Sequence, residues 1–378
     1  MSILTFRPNS SLSLGVEIEL QLVDQGTGDL KPVAPLILES QIREGSQTRL
    51  KSELFQSMIE IDTPICSNAF EASRSLRSSL AHARDRARAF GADVIMSGTH
   101  PFARYTERLL TPSGRYYSLV DRNQWITRRL QIFGLHVHIG MRSGEHAIAM
   151  NNAFCHYLPL LLALSASSPY WQNEDTGLAS SRITFFEALP TGGHPYLLND
   201  WGDFENLINK LLRSGSITGI KDLWWDIRPN TEFGTIEIRV MDCPPTMKEV
   251  EALVALVHSL AIFIDAELTT GRRFTPPPEW ILRENKWRAS RHGVSCDVVM
   301  NDDGTSAPFL EVWSQLLKSL QPTIASQRYE GFFEFLCCIV EKGPSYIRQR
   351  RHNPCEPASI VQHLIQEGIN DHPEWGSL

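Results

Sequence analysis

Two glutamates share one face of the first segment that alternates like a β-strand. In LGVEIELQLVD, residues 14–24, apolar side chains alternate with Glu17 and Glu19. Successive side chains of a strand point to opposite faces, so these two carboxylates lie on the same face, about 6–7 Å apart. Like charges held this close repel each other, and a bound cation would relieve the repulsion. A strand face in contact with water is the alternative explanation for this segment taken alone.

Three further segments have the same one-sided polarity, each with an apolar face and a face of ionisable groups. These groups are His136 and His138 in residues 131–141, Glu237 and Arg239 in residues 234–242, and Asp226 and Arg228 in residues 223–229. Residues 52–63 add Glu53 and Glu60, whose odd spacing would place them on opposite faces of one regular strand. If both reach one site, either a bulge intervenes or Glu53 lies on the approach to the strand.

These strands, paired into one antiparallel sheet, would line a concave surface with their polar faces. Glutamates with one or two histidines and no thiolates form a hard, oxygen-rich ligand set that suits Mg²⁺ or Mn²⁺, and the number of carboxylates favours more than one ion. Metals held in this way usually bridge nucleotide phosphates. The sequence contains neither a GxxxxGK[ST] loop nor a GxGxxG turn between a strand and a helix. A bound nucleotide is therefore expected on metals and arginines of the sheet.

The order of the elements favours an α+β fold. Strand-like segments cluster in about the first 240 residues and helical patterns dominate the rest, unlike the alternating order of a doubly wound sheet. Helices are predicted over residues 69–91, 146–167 and 247–269, and near 308–320, 326–341 and 357–367. Gly91 and Gly271 are the expected ends of the first and third helices.

Composition and charge exclude several classes of partner. The 378 residues carry a formal net charge of −7, which argues against a nucleic-acid partner. The seven cysteines are scattered without a CxxC pair, which is typical of reduced thiols in a cytoplasmic protein. No apolar run reaches the roughly 18 residues of a membrane span, and MSILTFRPNSSLS does not resemble a signal peptide. We therefore expect neither a membrane nor a nucleic-acid partner.

Seven motifs occur in order between about residues 12 and 293: LGVEIELQLVD, MIEIDTPIC, SGTHPFA, FGLHVHIGM, ALSASSPYWQNEDTGLASSR, DLWWDIRPNTEFGTIEIRVMD and ENKWRASRHG. Together they resemble the YbdK-like carboxylate–amine ligases of the glutamate–cysteine ligase type 2 family. The resemblance implies an antiparallel sheet forming an open cup, with helices on its outer face, like the catalytic domain of glutamine synthetase. It implies one ATP-dependent ligase domain over residues 1–378, although the helical part from about 300 carries none of these motifs.

The resemblance also implies a site. Its metal ligands would be Glu17, Glu19, Glu53, Glu60, His136 and Glu237, with Glu19, Glu53 and Glu60 on one ion and Glu17, His136 and Glu237 on another. Arg239, and after it Arg228, are the candidates for contact with the transferred phosphoryl group. Further candidates for binding substrate or phosphate are Arg182, Arg291, His138, His100 and Tyr116. A structural role is an equal alternative for His138, as is ordinary packing for Tyr116.

The implied reaction uses ATP and Mg²⁺ (or Mn²⁺). A substrate carboxylate attacks the γ-phosphorus of ATP, and an amine then displaces phosphate from the acyl phosphate to leave an amide. Glutamate and cysteine are the amino-acid substrates that the family name implies, and relatives suggest a homodimer. The alternatives are a related ligase with other substrates, a guanidino-type kinase, and a non-catalytic sensor that binds nucleotide or metal. No residue is assigned as the general base.

Overall fold

The computed structural model describes residues 4–43, 50–352 and 356–376. The strands are β1 (Leu14–Asp24), β2 (Leu50–Ser52), β3 (Met58–Asp62), β4 (Ala92–Ile95), β5 (Gly134–Gly140), β6 (Tyr170–Trp171), β7 (Glu174–Asp175), β8 (Gly192–Gly193), β9 (Trp224–Trp225), β10 (Ile227–Asn230), β11 (Thr235–Asp242), β12 (Asp297–Val299) and β13 (Ser306–Pro308). The helices are α1 (Ala34–Arg43), α2 (Ala69–Ala89), α3 (Gly114–Asn123), α4 (Trp125–Arg128), α5 (Gly144–Phe154), α6 (Leu158–Ser165), α7 (Arg182–Glu187), α8 (Trp201–Arg213), α9 (Met247–Thr269), α10 (Glu279–His292), α11 (Phe309–Gln327), α12 (Glu330–Lys342), α13 (Ser345–Gln349) and α14 (Pro357–Asn370).

Seven strands form one antiparallel sheet in the order β10-β11-β5-β1-β3-β2, and β4 pairs with the second half of β1. The alternation in β1 decides how this sheet packs. Val16, Ile18 and Leu20 are fully buried in the core, whereas Glu17 and Glu19 on the other face are only partly covered. Because the pairs on both sides of β1 are antiparallel and in register, the polar faces of its neighbours join the same surface.

Helices α2, α5, α6 and α9 cover the apolar face of the sheet. Helix α9 begins with a capping box, in which the Thr246 hydroxyl accepts from the Glu249 amide and the Glu249 carboxylate accepts from the Thr246 amide. Its length and apolar composition would suffice to cross a membrane, and the bent pair α5–α6 would pass the same test as one span. Most of α9 is nevertheless buried against β5 and helices α2, α5, α11 and α12, as in the core helix of a packed protein.

The predictions for the helices are confirmed in part. Helices α2 and α9 match, and the expected glycines follow them with positive φ, +68° at Gly91 and +90° at Gly271. The single helix expected over 146–167 is wrong, because α5 and α6 are separate and meet at a bend of 62°. Pro159 in the first turn of α6 lacks an amide hydrogen, and its ring would clash with the carbonyl of Cys155 in a continuous helix.

The strand predicted over 223–229 is also wrong as one element, because it breaks at Asp226 into β9 and β10. The Asp226 amide donates to the Gly193 carbonyl, and its own carbonyl accepts from the Arg239 amide. The break turns the Asp226 side chain toward Lys286, so Asp226 and Arg228 do not share one side as predicted.

Candidate active site

The concave face of the sheet brings ionisable side chains together in three rows that cross the strands. The rows are His136–Glu17–Asp62, Glu19–Glu60–Lys51 and Arg228–Glu237–His138. Glu53 lies in the connection between β2 and β3, which is the second of the two placements that the spacing allowed. All of these side chains except that of Asp62 line a cavity of about 310 Å³, which we call the acidic cavity. All six expected metal ligands and both expected catalytic arginines line it.

Buried carboxylates crowd one half of the acidic cavity. Burial, together with the charges of Glu60 and Glu19, holds the pKa of Glu53 well above its usual value. Burial and the charge of Glu17 raise the pKa of Glu60 to about 7, although Lys51 opposes this shift. A cation bound among these carboxylates would favour their ionised forms and offset their mutual repulsion.

Cationic and imidazole groups compensate the carboxylates in the other half. Burial alone would raise the pKa of Glu237, but the guanidinium groups of Arg228 and Arg239 hold it far below its usual value. The Arg228 Nε donates to Glu237 Oε2 at 2.9 Å, and Arg239 Nη1 donates to Glu237 Oε1. Burial would likewise raise the pKa of Glu17, but its interactions with His136 and His138 outweigh that effect and lower it.

Three of these groups are spaced to hold one cation. Glu17, His138 and Glu237 each offer a ligand atom, and these atoms lie within 4.8 Å of one another. The Nε2 atoms of His136 and His138 are buried, and that of His138 lies 3.6 Å from Glu17 Oε1, so each would offer a lone pair to a metal when unprotonated. The resemblance implied His136 for this set, whereas the structure brings His138 into it. Carboxylate oxygens with one imidazole fit Mg²⁺ or Mn²⁺.

Lys51 lies at the edge of the acidic cavity and was not predicted. Its ammonium is 2.9 Å from both Glu60 Oε1 and Asp62 Oδ2, and these two carboxylates raise its pKa, although burial acts against them. A signal was present in the sequence, because Lys51 precedes Glu53 by two residues in a strand-like segment. Other wall residues that the prediction omitted are Arg115, Phe186, Trp224 and Asn230.

A second depression of about 790 Å³, the outer groove, continues from the acidic cavity. The two share Glu17, Lys51, His138 and Phe233. The outer groove has a more apolar lining, to which Pro8, Pro64 and the exposed side chain of Ile65 contribute. The combined volume can hold a ligand with a flat apolar part and a charged part.

The five other candidates lie at different distances from the acidic cavity. His138 and Tyr116 line it, and the Tyr116 hydroxyl donates to the Ser52 carbonyl at 3.2 Å. Arg182 is completely buried behind the cavity, over the Phe186 ring and 3.3 Å from the Arg239 carbonyl.

The structure does not bring Arg291 or His100 to the cavity, contrary to the prediction. Arg291 is exposed at the end of α10 and donates to the Gly177 carbonyl. His100 is completely buried, with Nε2 2.9 Å from the Gly28 carbonyl and Nδ1 accepting from the Ala103 amide at 3.0 Å. Because both its ring nitrogens bond to the main chain, His100 holds a loop in place and cannot reach a ligand in the acidic cavity.

Comparison with known proteins identifies the family of this chain. The profile of glutamate–cysteine ligase family 2 matches residues 13–369. A relative from Bdellovibrio bacteriovorus, whose name is a provisional assignment as glutamate–cysteine ligase 2, is 46% identical over 363 residues, or 95% of this chain and 94% of the relative. A relative from Frankia casuarinae with a provisional assignment as glutamate–cysteine ligase 2-1 is 41% identical over 374 residues, covering 97% and 98% of the two chains.

Solved structures share the fold at low sequence identity. The crystal structure of a glutamate–cysteine ligase from Francisella tularensis in complex with AMP superposes with a TM-score of 0.72 at 12% identity, over 98% of this chain and 91% of that one. A bifunctional glutathione synthetase from Pasteurella multocida gives a TM-score of 0.60 at 15% identity, over 94% of this chain and 52% of that one. The predicted glutamine synthetase-like α+β fold is thereby confirmed, and the chain belongs to glutamate–cysteine ligase family 2, a family of ligases.

Proposed function

We propose that this protein is an ATP-dependent carboxylate–amine ligase that joins glutamate to cysteine through an acyl phosphate. The observation that carries the proposal is the acidic cavity, in which carboxylates, imidazoles and two buried arginines converge on one sheet face. That combination suits phosphoryl transfer, in which the protein mainly positions groups and neutralises charge. The names of the relatives supply the two amino acids.

The nucleotide would span the two depressions. The apolar wall of the outer groove, with Phe233 at its junction with the acidic cavity, suits the purine base. The phosphates would then extend past Glu17 and His138 into the acidic cavity. The carboxylate substrate would bind deeper, near Arg115 and Tyr116.

Mg²⁺ would be held by two groups of side chains. Glu17, His138 and Glu237 form one group, and Glu19, Glu53 and Glu60 form the other. Mg²⁺ held by these side chains would supply positive charge against the charge that develops on the phosphate oxygens. The raised pKa values of Glu53 and Glu60 and the buried Nε2 atom of His138 fit this assignment.

The chain's own residues would act on the transferred phosphoryl group and the substrates. As the substrate carboxylate oxygen bonds to the γ-phosphorus and the bond to ADP breaks, Arg239 would stabilise the equatorial oxygens. Arg228 donates to the Leu223 carbonyl at 2.6 Å and to both oxygens of Glu237, so it holds the position of the Glu237 carboxylate. In the second step, the amine attacks the acyl carbon, loses a proton, and phosphate departs.

We propose a cytoplasmic location and a homodimer as well. The six cysteines within the part of the chain that the structure describes are all free thiols, which fits a reducing compartment. Sedimentation of the purified protein tests the dimer. Fractionation of the cells that make the protein tests the location.

The test of function is ADP release with ATP and Mg²⁺, measured with glutamate alone and then with cysteine added. We expect release that needs glutamate, increases with cysteine and yields the dipeptide by mass spectrometry. A stable phosphorylated product would instead indicate a kinase, and ATP binding without turnover across a broad screen of carboxylates and amines would indicate a sensor. Turnover with other pairs only would retain the ligase class and change its substrates.

Matched variants connect this activity to the acidic cavity. Glu60→Gln is expected to remove most ADP release while leaving the circular dichroism spectrum unchanged. Glu311→Gln, which alters an exposed carboxylate on α11, is the control and should retain full release. Unchanged turnover in Glu60→Gln would refute the site.

A further inference from the structure

A third depression, which we call the rear cavity, lies behind the wall of the acidic cavity. It has a volume of about 680 Å³, within the usual range for small-molecule sites. Its lining comes from residues 183–197, from α10 and from Trp225. Neighbouring residues separate the two cavities: Phe186 and Trp224 line the acidic cavity, whereas Glu187 and Trp225 line the rear cavity.

The rear cavity is lined by a buried ammonium group whose three hydrogen-bond donors are all occupied. Lys286 Nζ lies 2.9 and 2.7 Å from the two oxygens of Asp226 and 2.9 Å from Glu187 Oε1. The side chains of Lys286 and Asp226 are only 3% and 2% exposed. Two carboxylates therefore face one ammonium, so this cluster has an excess negative charge and Lys286 has no donor left for an anion.

The side chains of Glu187 and His194 also line the rear cavity and offer polar atoms to a ligand. The Glu187 side chain is 47% exposed and contacts Lys286 through Oε1, so Oε2 is accessible to a ligand. The His194 side chain is 9% exposed; its Nδ1 lies 3.4 Å from Asp226 Oδ2, and neither ring nitrogen makes a hydrogen bond of good geometry. Burial lowers the pKa of His194, so the neutral ring offers one donor and one acceptor. Unpaired polar atoms at this depth are costly unless a ligand or water satisfies them.

We propose that the rear cavity binds a small organic primary amine. The ammonium group of the ligand would pair with Glu187, and its apolar part would lie against the aromatic rings of Tyr196, Trp225 and Trp287. His194 would hydrogen-bond a polar substituent. An anionic ligand is disfavoured, because the donors of Lys286 are occupied and the cluster repels negative charge.

The rear cavity is physically linked to the acidic cavity. Asp226, which holds Lys286, accepts a hydrogen bond through its carbonyl from the Arg239 amide at 2.7 Å. Phe186 and Trp224 pack against each other with ring centroids 5.8 Å apart, and the Arg239 guanidinium lies 5.7 Å from the Trp224 ring. An amine paired with Glu187 is therefore connected through Lys286 and Asp226 to Arg239 of the proposed ligase site, as an effector would be.

The test is calorimetric titration of the full chain with 2-phenylethylamine, at up to roughly 10 mM, above ordinary substrate KM values. The uncharged isostere 2-phenylethanol should bind at least about tenfold more weakly, because it lacks the charge-assisted bond. Glu187→Gln should weaken amine binding by about tenfold or more, and Trp287→Ala should weaken it several-fold. Both changed side chains are about half exposed, so the fold should tolerate their replacement.

Glu60→Gln separates this site from the acidic cavity. Amine affinity should be unchanged in Glu60→Gln, and ATP binding should be unchanged in Glu187→Gln. The proposal is overturned if the wild-type chain gives no saturable heat, or if Glu60→Gln rather than Glu187→Gln weakens amine binding. Because the readout is binding, failure of the ligase assay would leave this result independent.

Discussion

At the scale of single residues, Glu237 governs the arrangement of the candidate site. It lies opposite His138 on one side and Arg228 on the other, and Arg239 reaches it from the same strand. All four side chains are at least nine-tenths buried, so removing Glu237 would leave two guanidinium groups without their compensating charge. One carboxylate thus orients both arginines that the proposed reaction needs.

The first prediction concerns Arg239→Lys. Lysine keeps the positive charge but loses the planar fork that contacts two oxygens at once, so we expect kcat for ADP release to fall about 10²-fold or more. The matched control is Arg272→Lys, which changes an exposed arginine paired with Glu267. An unchanged kcat in Arg239→Lys would show that this guanidinium does not contact the transferred group.

The second prediction concerns the pH dependence of stability through His100. Complete burial lowers the pKa of His100 to about 4, from an ordinary value of 6.5, and Nδ1 must stay unprotonated to accept from Ala103. Its contribution to the free energy of unfolding is therefore complete above pH 6.5 and is lost as the pH falls from 6.5 toward 4. Over that range we expect a loss of about 3 kcal/mol from this group.

Urea unfolding of the wild type and of His100→Asn at pH 7 and pH 4.5 measures this effect. Asparagine can accept from the Ala103 amide without titrating in this range, so the variant should be less stable at pH 7 and less sensitive to acid. Equal loss of stability in both proteins would assign the acid sensitivity to other groups.

At the scale of elements, the alternation of side chains along a strand explains which site residues could be predicted from the sequence. Alternation is a geometric property of any strand, so it correctly placed Glu17, Glu19, His136 and His138 on one face. Whether His136 or His138 lies beside Glu17 and Glu237 depends on the register of β11 against β5. That register shifts between Ile238 and Met241. No residue pattern encodes that bulge, so the resemblance-based assignment to His136 could not be tested from sequence.

Elements whose boundaries depend on tertiary contacts were predicted less well. The helix α8 had a sequence signal, because Asp200 caps it and accepts from the Asp203 amide, yet it was not predicted. The break between β9 and β10 could not be predicted, because Asp226 turns away to pair with Lys286, sixty residues distant. The ion pair of Lys51 likewise depends on the register between β2 and β3.

The third prediction concerns the first turn of α9. Thr246→Ala removes the hydroxyl that accepts from the Glu249 amide at 3.2 Å and donates to its carboxylate at 2.9 Å. We expect the free energy of unfolding to fall by about 1 kcal/mol, measured by urea denaturation. Thr246→Ser keeps the hydroxyl and should stay close to wild type. If both variants lose the same stability, packing of the threonine methyl group outweighs the cap.

At the scale of the whole molecule, the mutually repelling carboxylates are concentrated in the acidic cavity, while the surrounding helices stabilise the fold. The apolar face of the sheet and the helix α9 form a continuous core, whereas Glu53 and Glu60 repel each other on the opposite face. Stability of the chain should therefore respond to cations that bind the cup.

The fourth prediction is that Mg²⁺ raises the melting temperature. A ligand that binds only the folded state at a hundred times its Kd adds about 2.7 kcal/mol of stability. The shift should be smaller in Glu60→Gln, and Na⁺ at equal ionic strength should not reproduce it. Differential scanning calorimetry measures it, and equal shifts in wild type and variant would place the bound ion elsewhere.

The ammonium of Lys51 lies 2.9 Å from both Glu60 and Asp62, so it serves as a built-in counter-ion at the edge of the acidic cavity. A divalent ion bound by Glu60 would have to displace this ammonium, so it would bind more weakly than to the same carboxylates without Lys51. The tether keeps the local concentration of the competitor high, because Lys51 cannot diffuse away. With no ion bound, the ammonium stays paired with Glu60 and Asp62, so these carboxylates keep a counter-ion.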